Sequence, residues 1–377
     1  MRARIVTTFR LVGVLLSGAL ILAGCATQQQ SESAVDSSRA VVIVSGGDAV
    51  SPFTTPDAAC TSGLAAGNTD TALRASLLAA GRTVYTAPAM NARGPVQEPD
   101  PTSFGAFGDC PEQLPAHMTI VSTADIDNAG EHLARFIGYL NETYGVDQID
   151  FVGHSNGGLF ARAAIRILAE TEAPIAVTSL TTLGTPWMGA NPLRIIAGEV
   201  PESECRGQAS CLAMVAAMRE TTSLGLAAQD TYGYLVGDDG WNQAQRGVLD
   251  DIPTLLIGGT YLTADGGDPE FWPNDGLVSD YSALAKGISD DIVPLRTCES
   301  FPVLHSIYIA DALGHDWQTG MTWNTEVLDR VAQFIADPLV TTSSTTSGAP
   351  TALGAPSMQS SPTTADSSAT QSVGDGC

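Results

Sequence analysis

Gly153-His154-Ser155-Asn156-Gly157 says more about the architecture of this chain than any other five residues in it. It fits the pattern Gly-x-Ser-x-Gly, in which a serine sits on a sharp strand-to-helix turn with its hydroxyl exposed at the end of a sheet. Strained backbone angles at the serine bring the residues two before and two after it together, and only glycine leaves room there. The flanks supply the required context. Gln148-Ile149-Asp150-Phe151-Val152 reads as a short apolar strand, and residues 158–170 place Leu159, Ala163, Ile165, Ile167 and Leu168 on a helix.

Working outward, the same alternation of strand and helix continues. Residues 40–44 form an apolar run that ends in the turn Ser45-Gly46-Gly47-Asp48. Residues 71–80 read as a helix and 82–87 as the next strand, and the Pro- and Gly-rich 91–115 read as a surface loop. From Ser122 a helix carries Ile126, Ala129, Leu133, Phe136, Ile137 and Leu140 at three- and four-residue steps and ends near Gly145. Further strands are read at 176–183 and 252–257, with the apolar Phe301-Pro302-Val303-Leu304 as the last strand and a closing helix at 325–335. Strands alternating with helices predict an α/β fold, a mostly parallel sheet covered on both faces, with ligands at the carboxyl ends of the strands.

The ends of the chain read differently from its middle. Arg2, Arg4 and Arg10 precede an apolar run over 11–23, and Leu22-Ala23-Gly24-Cys25 resembles the lipobox of bacterial lipoproteins. Residues 1–24 are therefore expected to be a signal peptide, with Cys25 acylated as a membrane anchor on the extracytoplasmic face and partial secretion as the alternative. Residues 25–39 read as a flexible tether, 40–338 as the folded domain and the Ser/Thr/Pro-rich 339–377 as a disordered tail.

The chain has 41 acidic and 17 basic residues and a formal charge of -24, which argues against nucleic acid as a partner. Of its seven cysteines, six remain once Cys25 is assigned to lipid. Proximity favours Cys205 with Cys211, Cys60 with Cys110 would pin a long excursion, and Cys298 with Cys377 is what is left. None has the paired short spacing of a zinc site. Oligomeric state is not legible.

A serine hydroxyl needs a histidine to take its proton and a carboxylate to hold that histidine, and only His305 and His315 follow Ser155. Here the chain resembles the bacterial true lipases of the α/β-hydrolase fold. The likeness lies in the elbow Gly153 to Gly158, in Ser179-Leu180-Thr181-Thr182-Leu183-Gly184-Thr185-Pro186, and in Asn274-Asp275-Gly276-Leu277-Val278. By this resemblance Asp275 is the triad acid, against Asp251, Asp268 and Asp280, which have no motif behind them. His305, which precedes Gly314 by the interval seen in the lipases, is the preferred triad histidine, with His315 as the alternative. His154, His117 and His132 are read as structural or solvent-facing.

The resemblance also implies an oxyanion hole made by the backbone N–H of Asn156 and one from the first-strand loop. That second donor is read as Gly47, with Asp48 the near alternative, although the lipases carry His-Gly where this chain has Ser45-Gly46. Many of those lipases hold a structural calcium through an aspartate two residues after the triad histidine. Ile307 stands there in this chain, and Asp311 is a candidate for another ligand position, so calcium stays open and no metal or cofactor is assigned. Trp187 is read as aromatic lining of the site. Residues 190–250 fall where the lipases carry a lid, and Leu212, Ala213, Met214, Val215, Ala217 and Met218 make either an amphipathic lid helix or ordinary cover.

The expectation is thus an α/β-hydrolase fold with a helical lid-like insertion, and a lipid-anchored carboxylester hydrolase of the lipase or esterase kind acting on acyl esters. An envelope acyltransferase using the same triad and an inactive binding lipoprotein are the alternatives.

Overall fold

The side chains of β1 (Arg39–Val44) alternate between two separate cores, with Val42 and Val44 in one and Val41 and Ile43 in the other. A strand buried on both faces needs helices on both, and the computed structural model supplies them. It describes residues 38–61, 63–67, 69–91, 109–219, 225–338 and 377. The expected signal peptide, the lipidation site Cys25, nearly all of the tether and all of the tail except Cys377 lie outside the described residues.

After β1 come α1 (Asp70–Ala79), β2 (Val84–Thr86), the short β3 (Ala89–Met90) and β4 (Ile120–Val121), α2 (Ile126–Tyr144), β5 (Gln148–His154), α3 (Gly157–Glu170) and β6 (Ala176–Leu183). An insertion follows with α4 (Asn191–Ile196), α5 (Ala209–Arg219), α6 (Gly225–Gln229) and α7 (Tyr232–Val236). The chain then returns through β7 (Thr254–Gly259), α8 (Asp280–Ala283), β8 (Arg296–Phe301), α9 (Ile307–Ala312) and α10 (Thr325–Ala336).

The main sheet has the order β2-β1-β5-β6-β7-β8, and every neighbouring pair is parallel. Leu133, Phe136, Ile137 and Leu140 of α2 join Leu159 and Phe160 of α3 on the face that holds Val42, Phe151 and Leu180. Leu73 and Leu77 of α1 and Val327, Val331 and Phe334 of α10 cover the other face, against Val41, Ile43, Val152, Leu183 and Ile257. This is an α/β-hydrolase fold, with the strand ends after β1, β5, β6 and β7 converging on one rim.

Two boundaries differ from the sequence reading for physical reasons. Helix α2 begins at Ile126 because Ser122 is engaged elsewhere: its hydroxyl donates to the carbonyls of Ala49 and Met90. The last strand is Arg296–Phe301, not the apolar run 301–304. Among the described residues it is an edge strand, paired with β7 and half-buried, so its sequence Arg-Thr-Cys-Glu-Ser-Phe lacks an apolar pattern. Pro302 brings no N–H to continue the ladder, and Leu304 instead exchanges backbone bonds with Thr319 and Met321.

Disulfides join Cys60 to Cys110, Cys205 to Cys211 and Cys298 to Cys377, the pairing expected from the sequence. Among the described residues no helix is long and apolar enough to cross a membrane.

Candidate active site

Ser155 stands between the last residue of β5 and the first turn of α3, with φ of 55°, a left-handed angle that costs a non-glycine residue of order 1 kcal/mol. Three bonds hold it there. Its N–H donates to Leu183 O at 2.8 Å, and its carbonyl accepts from Gly158 N–H at 3.1 Å and from the Thr185 hydroxyl at 2.8 Å. The glycines of the elbow have the steric role read from the pattern. A Cβ on Gly153 would lie 2.6 Å from Gly157 C, and one on Gly157 would collide with the carbonyls of Val44 and Ser45.

Asp275 is fully buried in the loop after β7. Its Oδ1 accepts the N–H groups of Leu277 and Val278 at 2.9 and 2.8 Å, which fixes the carboxylate plane. Its Oδ2 lies 2.7 Å from His305 Nδ1, and the His305 N–H donates to the Asp275 carbonyl at 2.8 Å. Asp275 accepts a proton-bearing Nδ1, so His305 keeps Nε2 as its basic nitrogen. The serine and the carboxylate–imidazole pair contact adjacent residues at the end of β6. Leu183 O receives the Ser155 N–H, while a Cβ on the next residue, Gly184, would lie 2.9 Å from Asp275 Oδ2 and 3.1 Å from His305 Nδ1.

His154 ties the two sides further, donating from Nε2 to His305 O at 2.7 Å with the two rings 4.8 Å apart. Burial, with His305 as a second and smaller cause, pushes its pKa down to about 3, so this imidazole is neutral. His315 lies elsewhere, with its ring nitrogens 3.3 and 3.4 Å from the Tyr261 hydroxyl. Of the competing carboxylates, Asp280 pairs with Lys286 at 2.9 Å, and Asp268 accepts the Glu270 N–H at 2.9 Å.

The turn after β1 presses on the serine from the other side. Gly46 packs against Ser155, and Ser45 beneath it donates to Asp70 Oδ2 at 2.5 Å. Ser51 and Thr69 also donate to Asp70, whose pKa is raised by burial against the lowering effect of these hydroxyls. Asp48 gives its N–H to Ser122 O at 3.2 Å, which removes it as an oxyanion donor and leaves Gly47 as the candidate from this loop. Asn156 is the first residue before α3, where the positive end of the helix dipole lies. Its side-chain amide donates to Asp230 Oδ2 at 3.1 Å, and burial pushes the Asp230 pKa up to about 7.

Neither Asp70 nor Asp230 was read from the sequence as part of the site. Asp70 follows Thr69 at the start of a predicted helix, and Asp230 is one of many acids in the insertion. Trp187 also departs from expectation: it is fully buried in the core, its ring centroid 3.9 Å from the Arg162 guanidinium, and does not line the site.

Beside the Asp275 loop is a mostly apolar cavity of about 270 Å³, lined in part by Met214, Ala217, Leu262, Trp272, Ile309 and Leu313 and touching both Asn274 and Gly276. Helix α5 forms one wall and buries only Val215 fully, with Leu212 exposed. Among the described residues no cluster of three or more His, Cys, Asp or Glu side chains is arranged to hold a metal ion.

Residues 116–196, from just before β4 through α4, match a family described as "Putative serine esterase (DUF676)". That segment contains the elbow, β6 and the Gly184 turn. No curated protein matches the chain in sequence. Among solved structures, the chain is similar to the Bacillus licheniformis lipase BlEst2 in its propeptide form, at 12% identity over 80% of this chain and 51% of that chain, with a TM-score of 0.45. It therefore spans about half of that lipase. A metagenomic carboxyl esterase, MGS0156, shares 12% identity over 79% of this chain and 76% of its own, with a TM-score of 0.44. An esterase of Pyrococcus furiosus, Pf2001, shares 13% over 80% and 83%, with a TM-score of 0.36.

Proposed function

We propose that the protein is a serine carboxylester hydrolase in which Ser155 is the nucleophile, His305 the base and then acid, and Asp275 the group that orients it. The observation that carries this reading is the Asp275–His305 bond of 2.7 Å, with the other carboxylate oxygen held by two backbone N–H groups and the pair packed on Gly184, next to the residue that binds Ser155. A surface or structural histidine has no need of a fully buried, pre-oriented carboxylate.

The chemistry follows from that arrangement. His305 Nε2 takes the Ser155 proton as Oγ attacks the ester carbonyl, and Asp275 stabilises the imidazolium. Backbone N–H groups of Gly47 and Asn156 receive the negative charge on the carbonyl oxygen, aided by the N-terminus of α3. The imidazolium then protonates the departing alcohol, and water activated by the same nitrogen releases the acyl group. The mostly apolar cavity beside the Asp275 loop favours an acyl ester with an aliphatic portion over a small polar ester. Cys25 is assigned as the acylated residue that places this chemistry at the outer face of a membrane.

Hydrolysis of p-nitrophenyl esters of graded chain length, by the unmutated protein beside Ser155→Ala, tests the assignment. Turnover that Ser155→Ala abolishes is expected, and absence of turnover on every chain length would sink it. Metabolic labelling with a fatty acid, lost in Cys25→Ala, tests the anchor.

A further inference from the structure

Asp230 belongs to the insertion, 74 residues from the partner it meets at the elbow. The residue is only 4% exposed, Oδ2 accepts the Asn156 side-chain amide at 3.1 Å, and among the described residues the buried Oδ1 has no hydrogen-bond partner. A buried carboxyl with few donors is costly, and the surrounding chain holds it in place from several directions. Ala190 N–H donates to the Asp230 carbonyl at 3.2 Å. Glu199 accepts the N–H groups of Tyr232 at 2.9 Å and Gly233 at 2.6 Å. Gln229, the residue before it, accepts the Ile126 N–H at 2.7 Å and so occupies the open N-terminus of α2.

Gln229 and Asp230 thus meet the core at two helix starts, α2 and α3. The second is the residue whose backbone N–H is assigned to the oxyanion hole. We propose that Asp230 is a positioning residue of the active site: as hydrogen-bond acceptor for the Asn156 side chain, it fixes the elbow so that the Asn156 N–H points at the developing oxyanion, and so couples the insertion to catalysis. This rests on the hydrolase reading above. Burial holds much of Asp230 in its neutral form near pH 7, with the charge of His305 acting the other way, and the neutral acid still offers Oδ2 to the amide.

The role asks for an acceptor and not for a charge, which makes asparagine a rescuing substitution. Ester hydrolysis by Asp230→Ala is expected to show kcat reduced by ~10-fold to 100-fold with KM within about threefold, since misplacing an oxyanion donor weakens the transition state and not substrate binding. Asp230→Asn is expected to keep kcat within about threefold of the unmutated protein. Hydrogen exchange of the amides of 156–160 gives a readout independent of turnover, with faster exchange expected in Asp230→Ala and unchanged exchange in Asp230→Asn. An alanine variant with unaltered kcat and exchange overturns the proposal, as does an asparagine variant as impaired as the alanine one. If the unmutated protein hydrolyses no ester, the hydrolase reading falls, while the exchange data still decide whether Asp230 holds Asn156.

Discussion

Gly46 and Ser155 are packed so closely that a Cβ on Gly46 would lie 2.5 Å from the serine Cβ and 3.1 Å from its Oγ. No side chain fits there unless Ser155 or the loop that carries Gly47 moves. Gly46→Ala is therefore expected to lower kcat/KM by ~100-fold, through displacement of the serine or of the oxyanion donor. Steady-state ester hydrolysis, with labelling of Ser155 by a fluorophosphonate, checks it. Unchanged turnover would mean that the loop yields without consequence and that Gly47 has no fixed place in the site.

His305 and Asp275 share a buried hydrogen bond of 2.7 Å, so on the proposed function their variants are expected to fall together. Asp275→Asn keeps the shape but changes the tautomer that His305 presents, and a loss in kcat of ~10⁴-fold is expected. His305→Ala is expected to lose at least as much. His315→Ala, which removes only the contact with Tyr261, is expected to stay within about twofold. Full activity in His305→Ala with loss in His315→Ala would reverse the assignment.

Asp70 lies under the loop after β1, accepting from Ser45, Ser51 and Thr69 in a buried cluster. Asp70→Ala removes the common acceptor of three buried hydroxyls and is expected to cost about 1–3 kcal/mol in stability. Because Ser45 adjoins Gly46, the same variant is expected to reduce kcat as well. Ser45→Ala removes one donor and is expected to do less of both. Urea unfolding and ester turnover measured on the same preparations separate the effects, and an Asp70→Ala protein as active and stable as the parent would remove Asp70 from the account.

What the sequence made legible was what is local or periodic. The elbow glycines, the apolar run of β1 and the three- and four-residue steps of α2 each depend on a few neighbouring residues, and the structure has them. Asn274-Asp275-Gly276-Leu277-Val278 was legible as a motif, and the folded reason is now explicit: the Leu277 and Val278 N–H groups bind the carboxylate. Edge strand β8 was missed because a strand with one neighbour and half-buried faces needs no apolar pattern. Asp70 and Asp230 were missed because the site residues they contact, Ser45 and Asn156, lie 25 and 74 residues away, and nothing local distinguishes a buried acid from a solvated one. Trp187 was misplaced for the same reason, since its role is set by Arg162 on another element.

Two buried groups at the site oppose each other in the pH dependence of stability. Asp230 is raised from 3.8 to about 7, so the folded state binds its proton more tightly and the stability it contributes is lost as pH rises from about 4 to 7. His154 is lowered from 6.5 to about 3, so its contribution is present above 6.5 and lost as pH falls towards 3. Between about pH 4 and 6.5 the two slopes, each ~1.4 kcal/mol per pH unit at most, cancel. Asp230→Asn removes one titration and leaves the other, so its stability relative to the unmutated protein is expected to rise with pH across that window. His154→Gln, whose amide still donates to the His305 carbonyl, is expected to show the mirror image, losing relative stability as pH rises. Thermal unfolding at half-unit pH steps is expected to show the variant curves diverging from the parent by a few degrees per pH unit, in opposite directions. Curves that run parallel to the parent would show that neither group titrates with a shifted pKa in the folded protein.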